Sequence, residues 1–455
     1  MISHILRTVS RWIFFAALVY APWAYGATTS ESIQITNWVL LTALVLWAIE
    51  LLVSRRTPRI PWLLFLLTAA LICVGGWMVF NAKSVYDSDF FVFVPLHNFA
   101  PPVTGSVDYP ISAAWMIRGA LLLGTVLFVS DLSRSDRWLL RLWYVVALIG
   151  GSIALLGLLQ KATSAQMIFW QPPPPPHLWV GTFFSTYYYH GNAGAFLNLV
   201  WPLSLGLVIR SFSKRSHPGL RAIWIVILII TVAGVMANTS RMAHIVALLL
   251  MVAVCVQFGP VLLRNLSGAQ KSVAVAGAVT VVLALIAVAQ ASHLEQPLGR
   301  WQAQTARIPA DARWQAWSVA IAALPETGLL GSGAGTFRVV FPAYKVAANS
   351  DVAGTWRFLH QDYLQTLLEW GWLGSSPWAL LFFGGMTVAI RNYRKYALGW
   401  TPRRRVLQPL VVIALAGVAV HALVDFPLQI ESIQLYVAAC LGLCWGSSLW
   451  HERFR

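Results

Sequence analysis

Charged residues are scarce in this sequence. Asp, Glu, Lys and Arg make up 11% of its 455 residues, whereas hydrophobic residues make up 58%. An ordinary soluble domain has about 25% charged residues, and a soluble chain of this length could not bury so much apolar surface in one core. The composition therefore excludes a soluble globular fold and predicts a protein surrounded by lipid.

Cysteine and acidic residues are also few. The sequence has four cysteines, all within apolar runs, and 16 acidic against 32 basic residues. Cysteines in that setting are typical of small buried side chains, which argues against a disulfide framework or a zinc site. The basic residues lie in short clusters between apolar runs, as in the cytoplasmic loops of membrane proteins. We therefore expect the bilayer, and not nucleic acid, as the partner.

Apolar runs long enough to cross a bilayer, which takes about 20 residues, predict about twelve transmembrane helices. They lie near residues 12–28, 35–53, 60–80, 111–130, 138–159, 190–210, 221–237, 242–262, 272–292, 371–390, 406–424 and 431–450. With the N-terminus in the cytoplasm, 22 of the 32 basic residues fall in cytoplasmic segments, so the positive-inside rule places both termini there. The predicted fold is an all-α integral membrane protein.

One connection is far longer than the typical 4–6 residues. This connection, residues 293–370, which we call the outer segment, separates nine predicted helices in 1–292 from three in 371–455. It carries a helical pattern at 312–324, preceded by Asp311 as a capping residue and ended by Pro325. The sequence thus predicts a long helical loop on the extracytoplasmic side.

The outer segment contains three motifs in a fixed order. They are the glycine-rich run Gly331–Phe337 (GSGAGTF), His360–Gln365 (HQDYLQ) and Glu369–Gly374 (EWGWLG). Together they resemble the outer loop of the O-antigen ligase and polymerase superfamily. The resemblance extends to Thr239-Ser240-Arg241, to Arg313 with Trp317 and Pro325, and to Gly181-Thr182-Phe183 with Asn192 and Pro202.

The resemblance implies a bacterial membrane glycosyltransferase with a GT-C-like fold, in the inner membrane, acting at the periplasmic face in lipopolysaccharide or envelope polysaccharide synthesis. Such enzymes move a glycan from undecaprenyl diphosphate to a hydroxyl group, without metal, nucleotide or cofactor. The acceptor is lipid A–core for a ligase, a second carrier-linked glycan for a polymerase and protein for some relatives. A single displacement would invert the anomeric centre.

His360 is the candidate general base. An imidazole changes charge near neutral pH and can accept the proton of a hydroxyl group. The residue precedes a helix predicted to begin around Asp362, and a helix N-terminus disfavours the imidazolium form. The alternative interpretation is a histidine that only caps the helix or bonds within an interface.

Arg241, Arg313 and Arg118 are the candidate ligands of the diphosphate. Arginine stays charged and grips phosphate oxygens with two parallel donors. The alternatives are a snorkelling residue at a helix end for Arg241 and a solvated surface charge for Arg313. Arg118 lies inside a predicted span, where an arginine is costly and suggests function; it could pair with the phosphate or with Asp108.

Supporting roles are expected for Asp362, Glu369, Gly333 and Gly335. Asp362 could cap its helix or orient His360, and Glu369 could anchor the end of the loop through backbone donors. The alternative is that one of them is a catalytic carboxylate. The two glycines belong to the turn that the resemblance identifies.

Asn192 could contact a sugar. His421 and Asp425, near the end of the eleventh span, could line a cavity or only pack against other helices.

Two other functions fit a protein with many spans. A transporter or flippase of lipid-linked glycans would also use basic residues around a cavity, but the outer segment has no counterpart on the inside, whereas alternating access usually comes with matched halves. A structural subunit of an envelope complex would not require a histidine beside arginines. We favour a ligase slightly over a polymerase.

Overall fold

The computed structural model describes residues 1–98, 103–171, 183–212, 217–265 and 311–450, with no account of the side chains of 261–265. The predicted helix 272–292, the start of the outer segment and Gly181-Thr182 lie outside the described residues. Within them the chain forms thirteen α-helices. Their bounds are α1 Ile2–Trp23, α2 Ser30–Val53, α3 Trp62–Phe80, α4 Tyr109–Leu132, α5 Asp136–Ala162, α6 His190–Ser211, α7 Pro218–Ala237, α8 Arg241–Asn265, α9 Ala312–Thr327, α10 Phe337–Ala347, α11 Asp362–Tyr396, α12 Pro402–His421 and α13 Glu431–Gly446.

Eleven of these helices, all but α9 and α10, are long and apolar enough to cross a membrane. Each corresponds to one predicted span, which confirms the all-α integral membrane fold. Two helices, α6 and α13, are buried along most of their length and form the centre of the bundle. The other spans surround them and leave apolar side chains on the outside, as expected for contact with lipid.

The first span was placed too late in the sequence. It was predicted at 12–28, but α1 runs from Ile2 to Trp23 and the chain then turns at Gly26, where φ is +66°. Arg7 and Arg11 made the first residues of α1 look too polar for a span, but both arginines have partners within the bundle. Arg7 pairs with Glu50 of α2, and the Arg11 guanidinium lies over the ring of Trp138, 5.0 Å from its centroid.

The described part of the outer segment has a small apolar core of its own. This core joins α9, α10 and the first turns of α11 through Val319, Phe337, Phe341, Leu359 and Leu368. The predicted helix at 312–324 is confirmed as α9, but Pro325 does not end it, because the helix continues to Thr327. Its first turn is capped by Asp311, whose carboxylate accepts from the backbone N–H of the second helical residue at 3.0 Å.

Helix α11 is broken at Gly371, where φ is +57° and ψ is −170°. The break separates the part of α11 that belongs to the outer segment from the part that continues as a span. Leu329 holds the break, because its carbonyl accepts from Leu373 N–H at 2.9 Å. The break at Gly371 therefore sets the angle between the two parts of α11, and with it the orientation of the outer segment on the bundle.

A β-hairpin between α3 and α4 was not predicted. Strands β1 (Ser84–Asp87) and β2 (Val92–Pro95) pair antiparallel, with Ser84 opposite Pro95. The base of the hairpin is fixed to α4 by Asp108, whose carboxylate accepts from Tyr86 N–H at 2.8 Å. The hairpin thus extends from the start of α4, where the glycine-rich run of the outer segment also packs.

Candidate active site

The glycine-rich run forms a tight turn that lies directly on the start of α4. Gly333 and Gly335 have φ values of +112° and +75°, which side-chain-bearing residues rarely adopt. A Cβ on Gly333 would lie 2.2 Å from Ser106 Oγ, and one on Gly335 would lie 2.0 Å from Trp115 Cδ1. Val107 N–H donates to the Ser332 carbonyl at 2.9 Å. Only glycine fits these two positions.

Glu369 holds the turn from the other side. Its buried carboxylate accepts from the backbone N–H groups of Gly335 at 3.0 Å and Phe337 at 3.2 Å, and from Gln365 Nε2 at 3.0 Å. A buried carboxylate is tolerated when such donors satisfy it. These contacts are those of an anchor for the loop.

His360 lies immediately before α11 and is oriented by a carboxylate. Its backbone has φ +57°, and its Nδ1 is 3.1 Å from Oδ1 of Asp425, in the connection between α12 and α13. Because an ionised carboxylate only accepts hydrogen bonds, Nδ1 is the donor, and a neutral ring then has its lone pair on Nε2. His421 Nε2 lies 3.7 Å from the other oxygen of Asp425.

Asp425 stays ionised in this setting. Burial alone would raise the pKa of its carboxyl group, but the hydrogen bond from His360 and the proximity of His421 outweigh burial and hold that pKa well below its usual range. A permanent negative charge beside Nδ1 favours both this tautomer and a protonated ring once a proton arrives at Nε2.

Aromatic side chains fix the imidazole ring in place. The ring meets Phe426 edge-on with centroids 4.6 Å apart, and Tyr189 and Trp356 at 5.9 Å each. The Tyr189 hydroxyl donates to Oδ2 of Asp425 at 3.1 Å. Burial, and next the negative charge of Asp425, raise the pKa of Tyr189, so it remains a donor.

Asp362 does not cap α11, contrary to one of the two roles considered for it. The cap is Gln361, whose extended backbone lets its side chain accept from Leu364 N–H. The Asp362 carboxylate instead accepts from Leu428 N–H at 2.8 Å and from Gln429 Nε2 at 3.0 Å. It therefore ties the start of α11 to the connection that carries Asp425, and so acts on His360 indirectly.

Arg313 lies behind the His360–Asp425 pair. Its Nη1 donates to the Val424 carbonyl at 2.9 Å, and its Nη2 donates to the Tyr189 hydroxyl at 3.2 Å. Burial would lower the pKa of Arg313, but the neighbouring Tyr189 and Asp425 raise it overall. The guanidinium is thus a permanent charge that supports the residues around Asp425.

A cavity of about 1330 Å³, which we call the main cavity, opens beside His360. Its walls come from the starts of α2, α4 and α6, from the glycine turn and from residues 353–360. Among the predicted site residues, His360, Arg118, Asn192 and Gly335 line it. Its described lining includes arginine side chains but no aspartate or glutamate.

Arg118 lies in α4 and does not pair with Asp108, so that expectation was wrong. Asp108 caps α4, accepting from Ile111 N–H at 2.7 Å, and also holds the hairpin. Arg118, 6% exposed, donates from Nε to Gln434 Oε1 at 2.7 Å and from Nη2 to the Gln429 carbonyl at 2.6 Å. Both acceptors are neutral, and neither bond uses Nη1.

Asn192 and Arg241 occupy neighbouring helix starts. Asn192 is buried in the first turn of α6, and its Oδ1 has no hydrogen-bond partner within the described ranges. Arg241 is the first residue of α8, and Asn238 ties that start to α6 by donating to the His190 carbonyl at 2.9 Å. Arg241 is absent from the described lining of the main cavity, so the structure does not bring it to His360 there.

Sequence reasoning left three residues out of the site. Asp425 was considered only as a cavity or packing residue, and Arg338 and Arg357 belong to none of the motifs. Both arginines line the main cavity. Arg338 directly follows the GSGAGTF run, and Arg357 lies three residues before His360. This proximity to the motifs could have identified both arginines as site residues from the sequence. For metals, the described residues contain no group of three or more His, Cys, Asp or Glu side chains that could hold an ion.

Comparison with known families agrees with the motifs. Residues 226–379 match the sequence model of a family described as O-antigen ligase. The matched stretch includes Arg241, Arg313, the glycine turn, His360 and Glu369. No curated protein matches the chain. Over residues 226–379 the chain is similar to the O-antigen ligase family, and this match supports the resemblance to the O-antigen ligase and polymerase superfamily.

Proposed function

We propose that this protein is an inverting glycosyltransferase that moves a glycan from undecaprenyl diphosphate to an acceptor hydroxyl group at the periplasmic face of the bacterial inner membrane. The observation that carries the proposal is the His360–Asp425 pair in the wall of a cavity that is lined by arginine and bordered by spans. The family match supports the same reaction class. The reaction needs no metal or other cofactor.

His360 is the proton acceptor in this proposal. The acceptor oxygen forms a bond to the anomeric carbon as the bond from that carbon to the carrier diphosphate breaks. The hydroxyl proton passes to Nε2 of His360, and Asp425 stabilises the imidazolium through Nδ1. The electron pair of the broken bond leaves with the diphosphate, and a single displacement of this kind inverts the anomeric configuration.

Positive charge must stabilise the departing diphosphate. Arg118 faces the main cavity and suits this task, because its partners are neutral and its charge is available to an anion. Arg241 and Arg313 stay predicted diphosphate ligands. The contacts of Arg313 favour a positioning role, since it holds Tyr189 and the connection that carries Asp425.

For the acceptor we favour lipid A–core, as in a ligase, with a second carrier-linked glycan, as in a polymerase, as the alternative. Product analysis with core lipid, a carrier-linked unit and a Ser/Thr peptide, each offered separately, distinguishes these classes. A flippase, the alternative from another class, would move carrier across vesicles without any new glycosidic product.

The central test is transfer by purified protein with lipid-linked glycan and no ATP. His360→Ala is expected to abolish product formation while leaving folding and insertion intact. His4→Ala, which changes an exposed histidine at the start of α1, serves as the control and keeps full activity. Retained transfer by His360→Ala would rule out the base.

A further inference from the structure

Two arginines of the outer segment face the main cavity. Arg338 is the second residue of α10, and Arg357 lies three residues before His360. Within the described ranges, neither guanidinium has a hydrogen bond or an ion pair. Arg357 contacts only a ring, with its Cζ 5.6 Å from the centroid of Phe358. Both side chains thus keep their donors for a group that enters the cavity.

The charges of these arginines are close enough to affect each other. Burial lowers the pKa of Arg357, and the charge of Arg338 lowers it further. Like charges that lie together without a carboxylate between them destabilise the empty site and strengthen binding of an anion. Both side chains are exposed in the cavity, and its described lining supplies no such carboxylate, so an anion that enters the cavity is the group that would neutralise them.

Arg118 brings a third charge to the same cavity. It comes from α4 in the bundle, whereas Arg338 and Arg357 come from the outer segment. The lining also includes exposed apolar side chains of the spans, Trp38 and Leu41 of α2 and Ile117 of α4. Cations beside apolar side chains of membrane-spanning helices match a phosphorylated head group on a hydrocarbon chain.

We propose that Arg338 and Arg357 bind the diphosphate of the lipid carrier together with Arg118, at the place where the outer segment and α4 meet in the wall of the main cavity. The proposal rests on the function proposed above and assigns its anion site. A diphosphate presents several charged oxygens on two phosphorus atoms, more than one guanidinium can hold, and each arginine fork takes two of them. A carrier bound in this way would bring its anomeric carbon into the cavity that His360 lines.

The assignment differs from the one that the sequence motifs suggest. Arg241 and Arg313 are absent from the described lining of this cavity. Two N–H groups of Arg313 already donate hydrogen bonds within the protein, to Val424 and Tyr189. The cavity arginines that have no partner come from positions outside the quoted motifs. Binding to Arg338 and Arg357 would also join the outer segment to the bundle through the substrate.

The test measures, by calorimetry, how tightly farnesyl diphosphate binds to the purified full-length protein. Loss of a charge-assisted hydrogen bond predicts about 10- to 100-fold weaker binding for Arg338→Gln and for Arg357→Gln, and Arg357→Lys should recover only part of the loss. Lys83→Gln removes an exposed charge that is outside the described lining of the cavity, and it should bind like the unchanged protein.

The outcomes separate this proposal from the proposed function. If both glutamine variants bind the probe as tightly as the unchanged protein does, the anion site is wrong, even when the protein transfers glycan. If the variants lose binding but the unchanged protein forms no glycosidic product, the anion site stands and the function fails. His360→Ala should bind farnesyl diphosphate normally, which shows that binding and proton transfer are distinct.

Discussion

At the scale of single residues, the site depends on how one imidazole is oriented. His360 is fixed by one hydrogen bond to Asp425 and by three aromatic rings, so its ring has little freedom to turn. Asp425 is itself held by Tyr189, and Tyr189 by Arg313. A substitution at any of these residues should therefore lower the rate of proton transfer more than it weakens binding of the carrier.

Asp425→Asn tests this directly. The amide keeps the volume but loses the charge, so the imidazolium is less stable and the wrong tautomer becomes accessible. We expect kcat to fall by about 100-fold or more, with binding of farnesyl diphosphate unchanged. Asp89→Asn, which changes an exposed carboxylate of the hairpin, is the control. Equal kcat values for Asp425→Asn and the control would show that the carboxylate has no part in the reaction.

The motif identified His360, but the sequence did not pair it with Asp425. The two residues are 65 positions apart and lie in different connections, so no local spacing joins them. The expected pairing of Arg118 with Asp108 failed for a related reason: nearby backbone N–H groups already satisfy Asp108. Local chemistry was predictable from sequence, whereas contacts between distant segments depended on how the helices pack.

At the scale of elements, the glycine turn is the joint between the outer segment and the bundle. It meets α4 through Ser106 and Trp115, and Glu369 of α11 holds it from behind. The same start of α4 also carries the β-hairpin. The turn was recognisable from its glycines, but the hairpin was not, because its short strands fall between two apolar runs that dominate the pattern.

Comparing Gly335→Ala with Gly354→Ala should separate the two destabilising effects of an added methyl group, steric overlap and an unfavourable backbone conformation. A methyl group there would lie 2.0 Å from the Trp115 ring, and φ is +75°. We expect about 1–3 kcal/mol of destabilisation from overpacking, added to about 1 kcal/mol from the left-handed backbone. Gly354→Ala, with φ +82° and nothing within 4 Å of the added Cβ, should show the backbone cost alone. Thermal unfolding in detergent measures both, and equal melting temperatures would contradict the packing argument.

At the scale of the whole molecule, a group of charges joins α1, α2 and α4 at the end of the bundle away from the hairpin. Arg56 lies 3.0 Å from Glu50 of α2 and 2.7 Å from Asp131 of α4, and Arg7 of α1 also reaches Glu50. Glu50 is fully buried. Charges that pair across helices in this way are stable only while each has its partner.

Arg56→Ala should therefore weaken the bundle without touching the reaction. Removing one partner from a buried pair costs about 3–5 kcal/mol, and Arg7 retains part of the stabilisation of Glu50. We expect a lower melting temperature and an unchanged kcat per folded molecule. Arg55→Ala, next to it and exposed, should melt like the unchanged protein. An unaltered melting temperature in Arg56→Ala would mean that the cluster adds no stability.

The orientation of the whole chain decides whether the proposed reaction can occur where its substrates are. The outer segment packs on the start of α4 beside the hairpin, so both lie on one side, and α3 separates them from the α2–α3 connection on the other. The distribution of basic residues predicts that this connection is cytoplasmic. In a background with Cys73 and Cys255 replaced by serine, Asp89→Cys should react with a membrane-impermeant maleimide on intact spheroplasts, and Arg55→Cys should react only after permeabilisation. The opposite labelling would put His360 and the cavity arginines in the cytoplasm, away from a periplasmic acceptor, and the glycosyl transfer proposed here would have to be abandoned.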